Sequence, residues 1–530
     1  MRIRTFAAAA ALVLTLSAHA QRGIDNPMTR AVLQVYEKQL QEDPSDWETW
    51  MARANEYYMH SEYLRSLNDV DNALKYIPEN KKAERFYALL LRANIYTETG
   101  RSAEALNDLN SAVALMPSSY VALYLRANTL YSLGRYDEAS ADYKRLQRIN
   151  QRSPDALVGL ARIAVKENNL GTANELLDQA VAMDPNNSEY YVRRADVRKQ
   201  MGLTRDAVDD LVLAVSINSD DSRAIQHLVD LGKSDYPTVI AGLTSAIQQA
   251  PRVGMFPYIR GVIAQAHYNY KAALDDFKTI NDKQLYNYHG IYASMAECQL
   301  ALGRYNEALQ NVETAISMDA NSAGHFILKA QILRALGRPA EAFDIALKAS
   351  VMNGGSNEAL VEMGLCRAGE GKWQEAADLF GEASLDNPDS PELLMLRAWV
   401  LGKHLNQPVA AAGFYGKVVD LEGWDLDNVR SLKGFAQLLN GDREQAVKWI
   451  ENILATVTDK DGFVHYMGAC FYTVAGDNER AIALAHKAME LCYANYYEWM
   501  TLNDGLCTVA LLRDDLSFLR LIEKYKYLWD

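Results

Sequence analysis

The chain has 530 residues, with 68 acidic side chains against 54 basic ones and a formal charge of -14 at pH 7. A surface this acidic repels phosphate backbones, so nucleic acid is excluded as an expected partner. Five cysteines are too few for a disulfide-framed fold of this length. Most of them read as packing residues, with a bridge between Cys492 and Cys507 left open.

Residues 1–20 place Arg2 and Arg4 before an apolar run from Phe6 to Leu16 and a small-residue ending, Ala18-His19-Ala20. That is the layout of a secretory signal peptide. The run falls short of the roughly 20 residues that a membrane-spanning helix needs. Cleavage near Ala20 is expected, giving a soluble product without membrane insertion, exported to the periplasm or to the extracellular side of the cell surface. Residues 21–46 read as an N-terminal entering helix.

From Trp47 onward alanine recurs every 34 residues, at Ala105, Ala139, Ala173 and Ala207 and again at Ala308, Ala342, Ala376 and Ala410. Ala273, Ala446 and Ala481 continue the series with small shifts. A second series precedes it by twelve residues: Ala54, Ala93, Ala127, Ala161, Ala195, Ala296, Ala330 and Ala398. Two small residues per unit indicate two helices that cross so closely that only a methyl group fits between them. Between the two series stand Gly100, Gly134, Gly202, Gly303, Gly337, Gly371, Gly441 and Gly476, where a first helix would close in the left-handed conformation. Second helices end before Pro78, Pro117, Pro185, Pro251 and Pro388, because proline cannot continue the hydrogen-bond ladder.

This pattern, with aromatic residues such as Tyr136, Tyr143 and Tyr305, resembles the tetratricopeptide repeat. The resemblance spans roughly Trp47 to Asn495. Units fall near 47–80, 86–119, 120–153, 154–187, 188–221, 220–253, 254–288, 289–322, 323–356, 357–390, 391–426, 427–460 and 462–495. It implies an all-α superhelical solenoid of about 13 helix-turn-helix repeats, stabilised by stacking of neighbours. An N-terminal arm covers 47–221, an irregular region with a bend 222–288 and a C-terminal arm 289–495, with capping helices over 496–530. In the irregular region the glycine turn is lost, Pro237 is expected to shorten a first helix, and two repeats occupy 66 residues.

Arg-Ala-Asn appears three times, at 53–55, 92–94 and 126–128. Leu123, Ala127 and Leu130 form the inward stripe of their helix, at i, i+4 and i+7. Asn128 lies about 100° around that helix, on a stripe with Tyr124 and Tyr131. The corresponding positions are Asn55 with Met51 and Tyr58, and Asn94 with Leu90 and Thr97. In proteins resembling this repeat the second stripe faces a concave groove, and such asparagines hold peptide backbone. The candidate ligand-binding residues are therefore Asn55, Asn94, Asn128, Tyr58, Tyr124 and Tyr131. An alternative is that these asparagines bond neighbouring helices, and the arginine of each triplet reads as a solvated outer residue. Met51, Leu90 and Tyr124 stand where a clamp for chain-terminal carboxylates would carry lysine, which argues against that type of ligand.

Along the chain the stripe becomes charged (Arg162, Asp196, Lys199, Glu297) and then apolar (Phe435, Leu438, Tyr466). The apolar end accommodates a second binding segment or the closing helices. There is no H-E-x-x-H, C-x-x-C or G-x-S-x-G, and Gly369-Glu370-Gly371-Lys372 and Gly354-Gly355 read as repeat loops. The expectation is a non-catalytic adaptor or scaffold without cofactor or metal, binding protein or peptide segments of the cell envelope. A self-associating spacer and a glycan-binding solenoid are the alternatives.

Overall fold

The computed structural model describes residues 26–285, 289–352, 357–421, 427–501 and 508–530. The signal-like segment, Gly354-Gly355 and Cys507 lie outside them. The architecture is all α: antiparallel helix pairs follow one another from Trp47–Met59 with Tyr63–Tyr76 to Phe463–Val474 with Asn478–Glu490, preceded by the single helix Pro27–Glu42. The described residues form two compact units, one ending at Leu228 and one running from Val229 to Asp530.

Each helix begins and ends for a local reason. Asn26 Oδ1 accepts from the Met28 N–H ahead of Pro27, and Ser119, Asn169, Asp442 and Asp477 cap other helices likewise. At the end of Tyr120–Ser132, Gly134 adopts φ +75° and the Arg135 N–H reaches Leu130 O at 2.9 Å, which closes the helix. Both alanine series, Ala410 excepted, are buried at the helix crossings, Ala54, Ala127, Ala139 and Ala330 among them.

Two departures have identifiable causes. Helix Ser222–Ser234 keeps the 13 residues of its counterparts, so Pro237 does not shorten it. Pro237 sits instead in the first turn of Tyr236–Gln249, and Asp235 alone bridges the two helices and caps the second. Farther on, Val400–His404 forms a π turn directly after helix Pro391–Trp399. The inserted residue shifts the register. Ala410, which lies on the 34-residue spacing, is exposed, and Ala411 takes the buried place.

The second unit closes on itself. Tyr268 stacks on Phe463 with ring centroids 5.6 Å apart and meets Tyr493 at 4.7 Å. Lys460 Nζ donates to Ser234 O at 2.9 Å, and Arg304 Nη2 donates to Trp529 O at 3.2 Å. The closing segment consists of the short helix Tyr496–Met500, the helix Leu516–Lys524 and two 3₁₀ turns.

Candidate peptide-binding groove

The triplet Arg-Ala-Asn divides into three roles. Its alanine is the helix joint, fully buried at Ala54 and Ala127 and nearly so at Ala93. Its arginine is not solvated. Arg53, Arg92 and Arg126 each grip the aspartate sixteen residues later, Asp69, Asp108 and Asp142, through Nε and Nη2 at 2.7–2.8 Å. Arg194 with Asp210 and Arg260 with Asp276 repeat the arrangement. The free Nη1 reaches the preceding pair: Asp71 from Arg92, Asn110 from Arg126, Asp178 from Arg194 and Thr244 from Arg260. One guanidinium thus ties three helices. Planar, bidentate geometry is what arginine provides and lysine does not.

The asparagines occupy three different environments. Asn55 is exposed, and its Nδ2 donates to Met51 O of its own helix at 2.9 Å. Asn94 is half-buried. Asn128 is half-buried, and its Oδ1 accepts from Tyr143 Oη at 2.7 Å and from Arg162 Nη1 at 3.3 Å. No hydrogen bond joins the three asparagines to one another among the described residues. Tyr58 lies half-buried beside Tyr63, and burial followed by the charge of Glu98 raises its phenol. Leu90, placed on the same stripe as Asn94, belongs to the core.

Around Asn128 the structure gathers a compact set. The Arg162 guanidinium lies 4.1 Å from the centre of the Tyr131 ring, and Tyr124 stacks on Tyr120 at 6.3 Å. Tyr143 is fully buried, and that burial pushes its phenol up to about 12, so it stays a hydrogen-bond donor at neutral pH. With its carbonyl oxygen held by two donors, Asn128 has an N–H pair left to offer. Among the described residues no carboxylate pairs with Arg162. The cluster therefore presents donors and aromatic surface, and it matches an acceptor such as a peptide carbonyl or a carboxylate side chain. Sequence reasoning placed Arg162 on the stripe without its link to Asn128; the 34-residue spacing of the two was the available signal.

The apolar end of the stripe is filled by the chain itself. Tyr466 stacks on Tyr493 at 4.6 Å and meets the Trp499 edge at 5.0 Å, beneath Phe518. Cys298, Cys366 and Cys470 are buried, while Cys492 is exposed. Among the described residues no group of three or more His, Cys, Asp or Glu side chains could hold a metal ion. No described helix is long and apolar enough to cross a membrane.

Stacked helix pairs of this kind define a helical-repeat array. Residues 96–163 and 134–195 match one tetratricopeptide-repeat family model and residues 295–357 another, so the chain carries tetratricopeptide repeats in those segments. Such repeats typically mediate protein–protein interactions and are usually non-catalytic. The chain is 25% identical over 161 residues to DnaJ homolog subfamily C member 3 of Gallus gallus, covering 28% of this chain and 32% of that protein. It is 22% identical over 384 residues to tetratricopeptide repeat protein 16 of Mus musculus, covering 68% of this chain and 48% of that protein. The chain thus spans about a third to a half of these relatives' lengths. Among solved structures, the Cut9–Hcn1 hetero-tetramer is similar at 13% identity and a TM-score of 0.33, over 93% of this chain and 98% of that one. YrrB, described as a tetratricopeptide-repeat protein with an unusual peptide-binding site, is similar at 18% identity and a TM-score of 0.30, over 37% of this chain and 98% of its own.

Proposed function

We propose that the chain is a non-catalytic adaptor whose first unit binds an extended segment of a partner protein along the stripe of Asn55, Asn94 and Asn128. The observation that carries this reading is the donor cluster of Asn128 and Arg162 between Tyr124 and Tyr131. Tyrosines add contact area at little entropic cost. A backbone carbonyl would take the Asn128 amide, and a carboxylate side chain would take the open edge of Arg162.

Export and a cell-envelope partner belong to the same proposal. They rest on the layout of residues 1–20. Amino-terminal sequencing of the protein recovered from an extracytoplasmic fraction, starting near Gln21, supports this part; recovery of the intact leader in the cytoplasm refutes it.

The groove itself is tested by affinity capture from envelope extract with the intact chain beside Asn128→Ala/Arg162→Ala and Asn55→Ala/Asn94→Ala variants, each checked by circular dichroism. Loss of one specific partner with the first variant is expected. Full retention by both variants would mean that the asparagines are architectural.

Self-association is the second reading, favoured by Met28, Met59 and Leu64, which are 76–81% exposed at the first helices. Sedimentation showing a concentration-dependent dimer that Leu64→Glu abolishes would favour it.

A further inference from the structure

Repeats in the second unit already hold a peptide, and it is the chain's own. The geometry points to a second binding site, on the helices Tyr305–Met318 and Ala323–Ala335 and on Ala293 and Leu300 of the preceding helix, that takes a short segment with two adjacent tyrosines, with residues 496–501 as its internal occupant. Its residues all belong to the second unit.

Three observations carry this inference. The first is where Tyr497 lands. Tyr497 packs, as Ala293 does, against the core cluster that contains Ala296, Leu300, Leu328 and Ile332, and it meets the Tyr305 ring edge-on at 6.0 Å. Ala293 and Leu300 occupy the stripe that carries Tyr124 and Tyr131 in the first unit. Arg334, on the same helix as Leu328 and Ile332, bridges to Glu362 of the next repeat at 2.7 Å.

The second observation is the seat for Tyr496. Gly303 has the left-handed conformation of the other repeat turns, φ +77°, but a Cβ there would fall 2.6 Å from Tyr496 Cδ1. At Gly100, Gly134, Gly202, Gly337, Gly371 and Gly476 the same position is open space. Gly303 therefore does two things: it closes a helix and it admits a ring. Trp529 covers Tyr496 at 5.4 Å.

The third is the manner of attachment. Tyr496–Met500 has five residues, too short for the two-helix seam that joins every repeat to its neighbour. It and the chain end are held by side chains of the repeats: Tyr305 Oη to Thr501 Oγ1 at 3.5 Å, Lys271 Nζ to Tyr527 O at 3.3 Å and Arg304 Nη2 to Trp529 O at 3.2 Å. Anchoring rings in pockets and backbone carbonyls on basic side chains is how a groove holds a peptide. Tyr268 stands at the turn position that glycine holds in other repeats, with the same left-handed backbone, φ +59°, and its ring is held by Phe463 and Tyr493.

A tethered occupant acts at an effective concentration on the order of millimolar. A partner segment of the same chemistry therefore reaches the site only when it outcompetes the tail or when the tail is drawn away. This makes the second site conditional where the first is open.

The test uses the full chain and a fluorescent synthetic peptide of residues 493–501, read by anisotropy. The unaltered protein is expected to bind the peptide at least about tenfold more weakly than Tyr496→Ala/Tyr497→Ala, whose tail no longer fills the seat. Adding Gly303→Ala to that double variant should abolish binding, because the new methyl occupies the seat. Adding Gly337→Ala, which carries the same backbone strain over open space, should leave binding intact. No binding to the folded double variant, or equal binding with Gly303→Ala, overturns the proposal. Should the double variant fail to fold, Gly303→Ala in the otherwise intact chain decides: hydrogen exchange of 496–501 and 289–301 should speed up about tenfold relative to Gly337→Ala, and no difference overturns it. Loss of first-groove capture would not move any of these readouts.

Discussion

Arg126 donates to both carboxylate oxygens of Asp142, sixteen residues ahead, at 2.7 and 2.8 Å, and the aspartate side chain is only 4% exposed. A buried charge left without its partner is costly, on the order of 3–5 kcal/mol. Arg126→Ala is therefore expected to lower stability by about 3 kcal/mol. Replacing both partners, as in Arg126→Met/Asp142→Leu, should restore most of it. Chemical denaturation of the single and double variants gives the coupling between the two residues. A single variant that costs nothing would show the pair to be solvated after all.

Two glycines separate backbone strain from steric conflict. Gly134 has φ +75° over open space, so Gly134→Ala should cost about 1 kcal/mol. At Gly159 an added Cβ would fall 2.3 Å from the Tyr143 ring. Gly159→Ala is expected to cost about 1–3 kcal/mol and to displace the Tyr143 hydroxyl from Asn128. Denaturation measures the first effect, and a weakened capture of the partner by a folded Gly159→Ala protein measures the second.

The loop after helix Arg443–Thr456 should open in acid. Burial alone would raise the Asp459 carboxyl, but the His465 side chain at 2.5 Å and the N–H groups of His465 and Gly462 at 2.9 Å outweigh it and hold the carboxyl below its ordinary value. A folded pKa below the unfolded one stabilises above the unfolded value, about pH 4, and that contribution is lost as pH falls through the folded value. Hydrogen exchange of residues 457–465 is expected to accelerate below about pH 4. Asp459→Asn should remove that dependence.

Thiol chemistry offers an independent check of packing. Burial raises the Cys298 thiol well above its ordinary value and pushes Cys366 up to about 12, whereas Cys492 is exposed. An alkylating reagent at pH 7.5 should modify Cys492 at least about tenfold faster than Cys298, Cys366 or Cys470. Equal rates would place the three helices in a looser state.

The repeat was legible because its cause is local. Alanine at each crossing and glycine at each turn answer to neighbours within one unit, so Ala127 and Gly134 announce the helix pair around them. The arginine of the triplet was misread for an equally physical reason. One residue before the joint, it points off the inward stripe, but the second helix of its own pair places an aspartate sixteen residues later within reach, as Asp108 is of Arg92, and the preceding pair adds Asp71. Ala410 was misplaced because a π turn adds a residue without any marker in composition. Docking of Tyr497 against Tyr305 had no local signal at all, since the two meet across almost two hundred residues.

Closure of the second unit by its own tail also sets how the chain would respond to being pulled. In the first unit the described side-chain hydrogen bonds reach no farther than the next repeat, as from Arg162 to Asn128. Such an array lengthens under tension as a spring does, each pair yielding in turn and recoiling when released. Between Tyr268 and Trp529 the chain is instead buckled. The force meets Tyr268, Lys271 and Arg304 together at one clasp, so this part should hold its length up to a threshold and then give way in a single step.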